Sequence, residues 1–272
     1  MTMSKSMQAT ERNHKPVLVI KLGGSMIDKI SESFYKSFCE LTKHYQCVVV
    51  HGGGPAITSL LEDLNIKGEF FEGLRKTTAE TLEVVTMTLG GTVSAQVTSA
   101  FTKQGVPCVG LKGSDGGLLK ARFINKEKLG FVGDIEEVNV SLIQQIIQQN
   151  YIPVIAPLAT TAEGQMVNVN ADVAAAAVAS ALKAEKLLFV TDVPGILNQG
   201  EVIPQTTPEE IQQLIADDVI YGGMIPKVKS AVNALSEHLH EVLIVSGEQS
   251  LVQGNVIKGT TIYQDVKEGV VK

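Results

Sequence analysis

The chain has 272 residues, 44% of them hydrophobic and 19% charged, and carries a net charge of −6. That length supplies the core of one large domain or of two lobes, and an acidic balance without a basic, aromatic-interleaved patch excludes a general nucleic-acid binder. The longest apolar runs fall far short of a membrane span, and no basic start followed by an apolar core marks a secretory signal.

In chain order, residues 1–15 are polar, lack a helical apolar stripe and read as a flexible tail. The stretch VLVIKLGGS at 17–25 follows. Its apolar run predicts a buried strand that runs straight into a glycine turn, with Lys21 at the carboxyl end, where open α/β sheets place ligands. Gly23 and Gly24 lack a Cβ, so their N–H groups approach an anion closely. Spacing predicts a helix over 31–43 and a second buried strand over 47–50, ending in HGGGP at 51–55. A helix over 55–64 starts on Pro55, and 68–78 (GEFFEGLRKTT) reads as a loop or hairpin carrying Arg75. Residues 79–103 form a long helical stretch whose Gly90-Gly91 pair suits a kink or a close helix contact.

Strand candidates follow at 105–111, 152–157, 186–191, 240–245 and, as a last edge strand, 260–263. Residues 112–132 read as an irregular, β-rich excursion at the sheet edge. Helices are expected at 138–150, along the alanine run 173–182, from Thr207-Pro208 onward, and after YGGMIPK at 221–227. Strands alternating with helices imply a three-layer αβα sandwich with a mainly parallel central sheet. The sequence reads as one continuous domain, residues 16–184 forming one lobe and 185–272 the other. Cys39, Cys47 and Cys108 are widely spaced and odd in number, fitting neither zinc ligands nor a disulfide framework, so reduced thiols and a cytoplasmic location are expected.

The P-loop pattern and GxGxxG are absent, and no GxSxG elbow supports a hydrolase reading of HGGG. What remains is a set of strand ends bearing glycines, two lysines, an arginine and an aspartate. This suits phosphoryl transfer, which depends on positioning and charge neutralisation. Residues 15–265 resemble the amino-acid kinase family through KLGGS at 21–25, HGGGP at 51–55, GLRKT at 73–77, NVNAD at 168–172, TDVPGIL at 191–197 and GGMIPK at 222–227. The resemblance implies ATP-dependent phosphorylation of a carboxylate. GLR paired with NVNAD points to the γ-carboxylate of N-acetyl-L-glutamate, in arginine biosynthesis.

The family match implies roles residue by residue. Lys21 and Lys227 stabilise the transferring phosphoryl group, and Asp172 organises both lysines. Gly23 and Gly24 bind ATP phosphates, whereas Gly53 and Gly54 bind the acceptor. Arg75 grips the acceptor's α-carboxylate as a bidentate fork, and Asn168 contacts its amide or carboxylate. Asp192, Val193, Pro194, Gly195, Ile196, Leu197 and Tyr221 line the adenine and ribose pocket. Mg2+ is expected to arrive mainly through ATP, with no protein-only metal cage. His51 reads as a structural strand-end residue, and Asp172 is alternatively an N-cap of the alanine helix. Position 76 is lysine where GLRVT is the more familiar form, which adds a charge close to Arg75. The short tail implies a homodimer without the N-terminal helix that links dimers into hexamers. A kinase with another carboxylate acceptor, and a non-catalytic nucleotide sensor on the same fold, remain as alternatives.

Overall fold

The structure, a computed structural model, describes residues 15–254 and 256–264. Apart from Lys15, the tail expected over 1–15 therefore lies outside the described residues. The apolar run ending in Lys21 forms β1 (Val17–Leu22), whose Leu18, Val19, Ile20 and Leu22 are fully buried. Such a strand belongs in the middle of a parallel sheet. The other strands that carry the fold are, in chain order, β2 (Gln46–His51), β3 (Cys108–Lys112), β4 (Leu119–Phe123), β5 (Val132–Val138), β6 (Ile152–Ala156), β7 (Leu158–Thr160), β8 (Met166–Val169), β9 (Lys186–Thr191), β10 (Gln205–Thr206), β11 (Glu241–Ser246) and β12 (Thr260–Tyr263).

One eight-stranded sheet runs in the order β10-β12-β11-β9-β1-β2-β6-β3. It is parallel from β11 to β3, and β12 joins β11 antiparallel. β12 is not the edge: Gln205 and Thr206 of β10 pair outside it. β1 pairs directly with β2 and with β9, so one ladder joins the first half of the chain to the second.

The helices of two turns or more are α1 (Glu32–His44), α2 (Gly54–Asp63), α3 (Ala79–Met87), α4 (Ser94–Lys103), α5 (Val140–Gln148), α6 (Ala171–Ala181), α7 (Pro208–Ala216) and α8 (Met224–Ala234). Alternation along β1 assigns the layers. Val19 packs with Ile143 of α5, Ala174 and Val178 of α6 and Ala231 of α8. Leu18, Ile20 and Leu22 pack on the opposite side with Phe34 and Phe38 of α1 and Phe101 of α4. Caps start the helices where side-chain oxygens meet orphan N–H groups. Ser31 accepts from Phe34 N, and Thr207 forms a reciprocal capping box with Glu210.

Two segments differ from expectation. Residues 79–103 are not one regular α-helix; α3 passes into α4 through a π-helical turn, Thr88–Val93, which contains Gly90 and Gly91. A Cβ on Gly90 would lie 2.8 Å from Lys112 Cδ, so the glycine there admits the stem of a neighbouring lysine. The excursion after β3 is not irregular: β4 and β5 join β7 and β8 in a small closed barrel. This barrel places β8, and hence Asn168, beside the carboxyl ends of the central strands.

Candidate active site

Three chain reversals meet at those strand ends. β1 leads into Gly23-Gly24, β2 into Gly52-Gly53-Gly54, and β8 into Asn170 and α6. A Cβ on Gly24 would sit 2.8 Å from both Cα and N of Gly53 and 2.9 Å from Gly54 N, so the two glycine turns touch through bare backbone. Gly53 starts α2 without a side-chain cap, which leaves the helix's first N–H groups and its positive end open to an anion. Gly23 aims its own N–H at Val190 O, 3.4 Å away, and so leans on the sheet.

A cavity of about 700 Å³ opens over these turns and is bordered by Lys21, Gly23, Gly24, Gly53, Gly54, Arg75, Asn168 and Asp172. The structure thus gathers the expected acceptor and phosphate residues. Lys21 Nζ lies 2.7 Å from Asp172 Oδ1, both side chains largely buried. The approach is charge to charge and lacks the direction of a hydrogen bond. Asp172 is not the cap of α6: Asn170 Oδ1 accepts from Asp172 N at 2.8 Å and from Val173 N at 3.3 Å. That leaves the Asp172 carboxylate free to face Lys21.

Arg75 ends a hairpin made of Phe70–Phe71 and Leu74–Arg75. The turn residues Glu72 and Gly73 have φ of 50° and 80°, the positive pair that a two-residue hairpin loop demands. Lys76 does not crowd Arg75. Its Nζ reaches Glu69 Oε2 at 3.0 Å, and its N–H donates to Glu69 O. Lys67 holds the other Glu69 oxygen at 2.7 Å, and the two lysines, Lys67 foremost, pull the Glu69 carboxyl down to about 2. Asn168 Nδ2 donates to Thr77 Oγ1 at 3.2 Å, and Thr77 in turn donates to Arg75 O at 2.9 Å. Fully buried Thr77 and, on α2, Thr58 were not apparent in the sequence. Thr77 is the last residue of GLRKT, and Thr58 lies one helical turn beyond HGGGP.

The other half of the expected set stands apart from this cavity. Lys227, in the first turn of α8, pairs with Asp192 at 2.5 Å, not with Asp172. Asp172 therefore holds one lysine, and Asp192 is the partner of the other. Each carboxylate lies at the end of the segment that carries it toward a different lysine. The Lys227 ammonium beside it holds the Asp192 carboxyl below its usual range. Ile196 is also corrected: it is fully buried and its N–H donates to Thr260 Oγ1 at 2.8 Å, so it anchors the loop and offers no atom to a nucleotide. Gly195 is a packing glycine, since a Cβ there would meet Thr260 Oγ1 at 2.7 Å. Pro194 borders a separate cavity of about 240 Å³, with Ser246 and Lys258. Leu197 is exposed, and Tyr221 is 72% exposed in the turn ahead of α8.

Residues 16–246 match the model of the amino acid kinase family, and the chain belongs to that family. An acetylglutamate kinase of Geobacillus sp. (strain WCH70) is 47% identical over 250 residues, covering 92% of this chain and 97% of that protein. The acetylglutamate kinase of Bacillus subtilis (strain 168) is 47% identical over 257 residues, covering 94% and 99%. Among solved structures, a protein of Streptococcus mutans UA159 superposes with a TM-score of 0.80 at 34% identity, over 92% of this chain and 99% of that one.

Proposed function

We propose that this chain transfers the γ-phosphoryl group of ATP to the γ-carboxylate of N-acetyl-L-glutamate, giving N-acetyl-L-glutamyl 5-phosphate and ADP in arginine biosynthesis. The observation that carries the reading is the single cavity that gathers a paired lysine, an arginine, an amide and two touching glycine turns. Relatives named acetylglutamate kinase, similar over nearly their whole length, supply the acceptor.

A carboxylate acceptor has a pKa of about 4.3 and is already ionised at neutral pH, so no base is required. One of its oxygens attacks the γ-phosphorus. The bond from that phosphorus to the β–γ bridging oxygen breaks, and its electron pair leaves with ADP. No proton moves. The chain's task is to bring two anions together and spread the charge. Lys21 supplies a point charge at the phosphoryl group, held in place by Asp172. The N–H groups of Gly53 and Gly54 face the acceptor and that of Gly24 the nucleotide, while the Gly23 N–H, expected to bind phosphate as well, is held by Val190 O. Arg75 receives the α-carboxylate, Asn168 the acetamido group, and Leu74, Leu89 and Val132 on the cavity wall suit an acyl methyl.

Lys227 completes the charge by leaving Asp192 for the phosphates, and Val193, Pro194, Leu197 and Tyr221 edge the nucleotide. Residues 16–184 make the acceptor lobe and the dimer contact, and 185–272 the ATP lobe. Mg2+ enters on ATP's phosphates; among the described residues no three His, Cys, Asp or Glu side chains are grouped to hold a metal. No helix of the described residues is long and apolar enough to cross a membrane, and the enzyme is read as a cytoplasmic homodimer.

The test is ATP consumption with N-acetylglutamate, glutamate, aspartate, N-acetylaspartate, UMP and carbamate, with hydroxylamine present to trap an acyl phosphate. Hydroxamate formed only with N-acetylglutamate is the expected result. Turnover with another acceptor overturns the acceptor assignment, and ATP binding without turnover favours a sensor. Light scattering of the same preparation should give twice the chain mass; a hexamer overturns the homodimer.

A further inference from the structure

The Arg75 guanidinium is more constrained than a carboxylate-binding arginine on a two-residue strand needs to be. Phe70 and Arg75 are direct register partners in the hairpin, so their side chains share a face. The Phe70 ring lies over the guanidinium, 4.7 Å from Cζ to the ring centroid, and also borders the acceptor cavity. On the other side Nη2 donates to Thr58 Oγ1 at 2.7 Å and to Gly54 O at 3.2 Å. Thr58 Oγ1 itself donates to Gly54 O at 3.0 Å, which fixes the lone pair that Arg75 uses. Nη2 is thereby tied to the first turn of α2. Nη1 is buried and has no partner among the described residues. A buried donor without an acceptor is costly, and here it lies in the arginine that borders the cavity.

We infer that Thr58 and Phe70 are positioning residues for the acceptor. They hold the Arg75 guanidinium in one orientation at the cavity wall, ready for the acceptor's carboxylate. The inference deepens the reading above and rests on its assignment of Arg75. The ring restricts the guanidinium plane from one side and the threonine hydroxyl from its end. The entropy of fixing a long side chain is then met in folding, before the acceptor arrives.

The experiment compares Thr58→Val and Phe70→Leu with wild type. KM for N-acetylglutamate should rise about tenfold in each, with kcat and KM for ATP within about twofold. Thr58→Ser and Phe70→Tyr should restore KM. A merely structural role would move both KM values and kcat together, or leave the conservative variants unrescued, and either outcome overturns the inference. So does an unchanged KM in both variants.

A second measurement needs no substrate. Nitrogen-15 NMR of arginine side chains, with Arg75 assigned by Arg75→Lys, should show slow guanidinium rotation in wild type and fast averaging in Thr58→Val and Phe70→Leu. Fast rotation in wild type overturns the clamp. If wild type ignores N-acetylglutamate but Arg75 is slow and the variants free it, the clamp stands and the acceptor assignment falls.

Discussion

Lys21 has 17% of its side chain exposed and sits 2.7 Å from Asp172 in a site the chain builds from backbone and cations. Lysine at a strand end after an apolar run was legible because a charge is placed at the end of a buried strand only where solvent or a ligand meets it. What was not legible was which carboxylate serves which lysine. Asp172 and Asp192 both follow a strand, β8 and β9, and only the tertiary structure separates their partners. If Lys21 stabilises the transferring group, Lys21→Ala should lower kcat by about 10²–10³ while both KM values stay within about threefold. Asp172→Asn should remain folded and retain residual activity, because it removes the lysine's partner and not the charge at phosphorus. A rise in KM alone for Lys21→Ala, measured by steady-state kinetics, defeats the transition-state role.

At the scale of elements, buried strands and capped helices follow from local pattern. Leu18, Ile20 and Leu22, Ser31 and Thr207 each act where periodicity and capping chemistry put them. The barrel of β4, β5, β7 and β8 was hidden because its two hairpins, β4–β5 and β7–β8, are closed by pairings across long sequence separations, and the two strands that hold Asn168 in place, β7 and β5, flank β8 with opposite directions. The π-helical turn was hidden for a similar reason. Gly90 makes room for Lys112, a residue of strand β3.

Contact between the glycine turns makes a sharp prediction at this scale. A Cβ at position 24 would strike the Gly53 backbone at 2.8 Å, whereas one at position 53 would strike the end of the Leu89 side chain at 2.6 Å, which can turn aside. Gly24→Ala should therefore lose at least about tenfold more kcat/KM than Gly53→Ala, since backbone must shift where the two turns meet. Equal losses, or a worse Gly53→Ala, would show that the turns do not depend on that contact.

Across the whole molecule, the pairing of β1 with both β2 and β9 makes one sheet from the two halves of the chain, and His51 ends β2 inside it. The sequence reading of His51 as structural agrees with its environment: it is fully buried, its Nδ1 lies 3.1 Å from Gly52 O, and Nε2 has no partner among the described residues. Nδ1 this close to a carbonyl carries the proton, so the ring is the neutral Nδ1–H tautomer. Burial pushes its pKa from 6.5 down to about 4. The unfolded chain therefore binds a proton near pH 6.5 that the folded chain refuses until about pH 4. Between those values the unfolded state holds more protons, so stability rises with pH. The contribution is fully present above pH 6.5 and is lost as pH falls through the window, at up to ~1.4 kcal/mol per pH unit and about 3 kcal/mol in all by pH 4. Urea unfolding at pH 7.5, 5.5 and 4.5 checks this. Wild type should lose stability more steeply than His51→Gln between pH 6.5 and 4, because glutamine takes up no proton. Parallel pH dependences in the two proteins would show that His51 does not couple protonation to the fold.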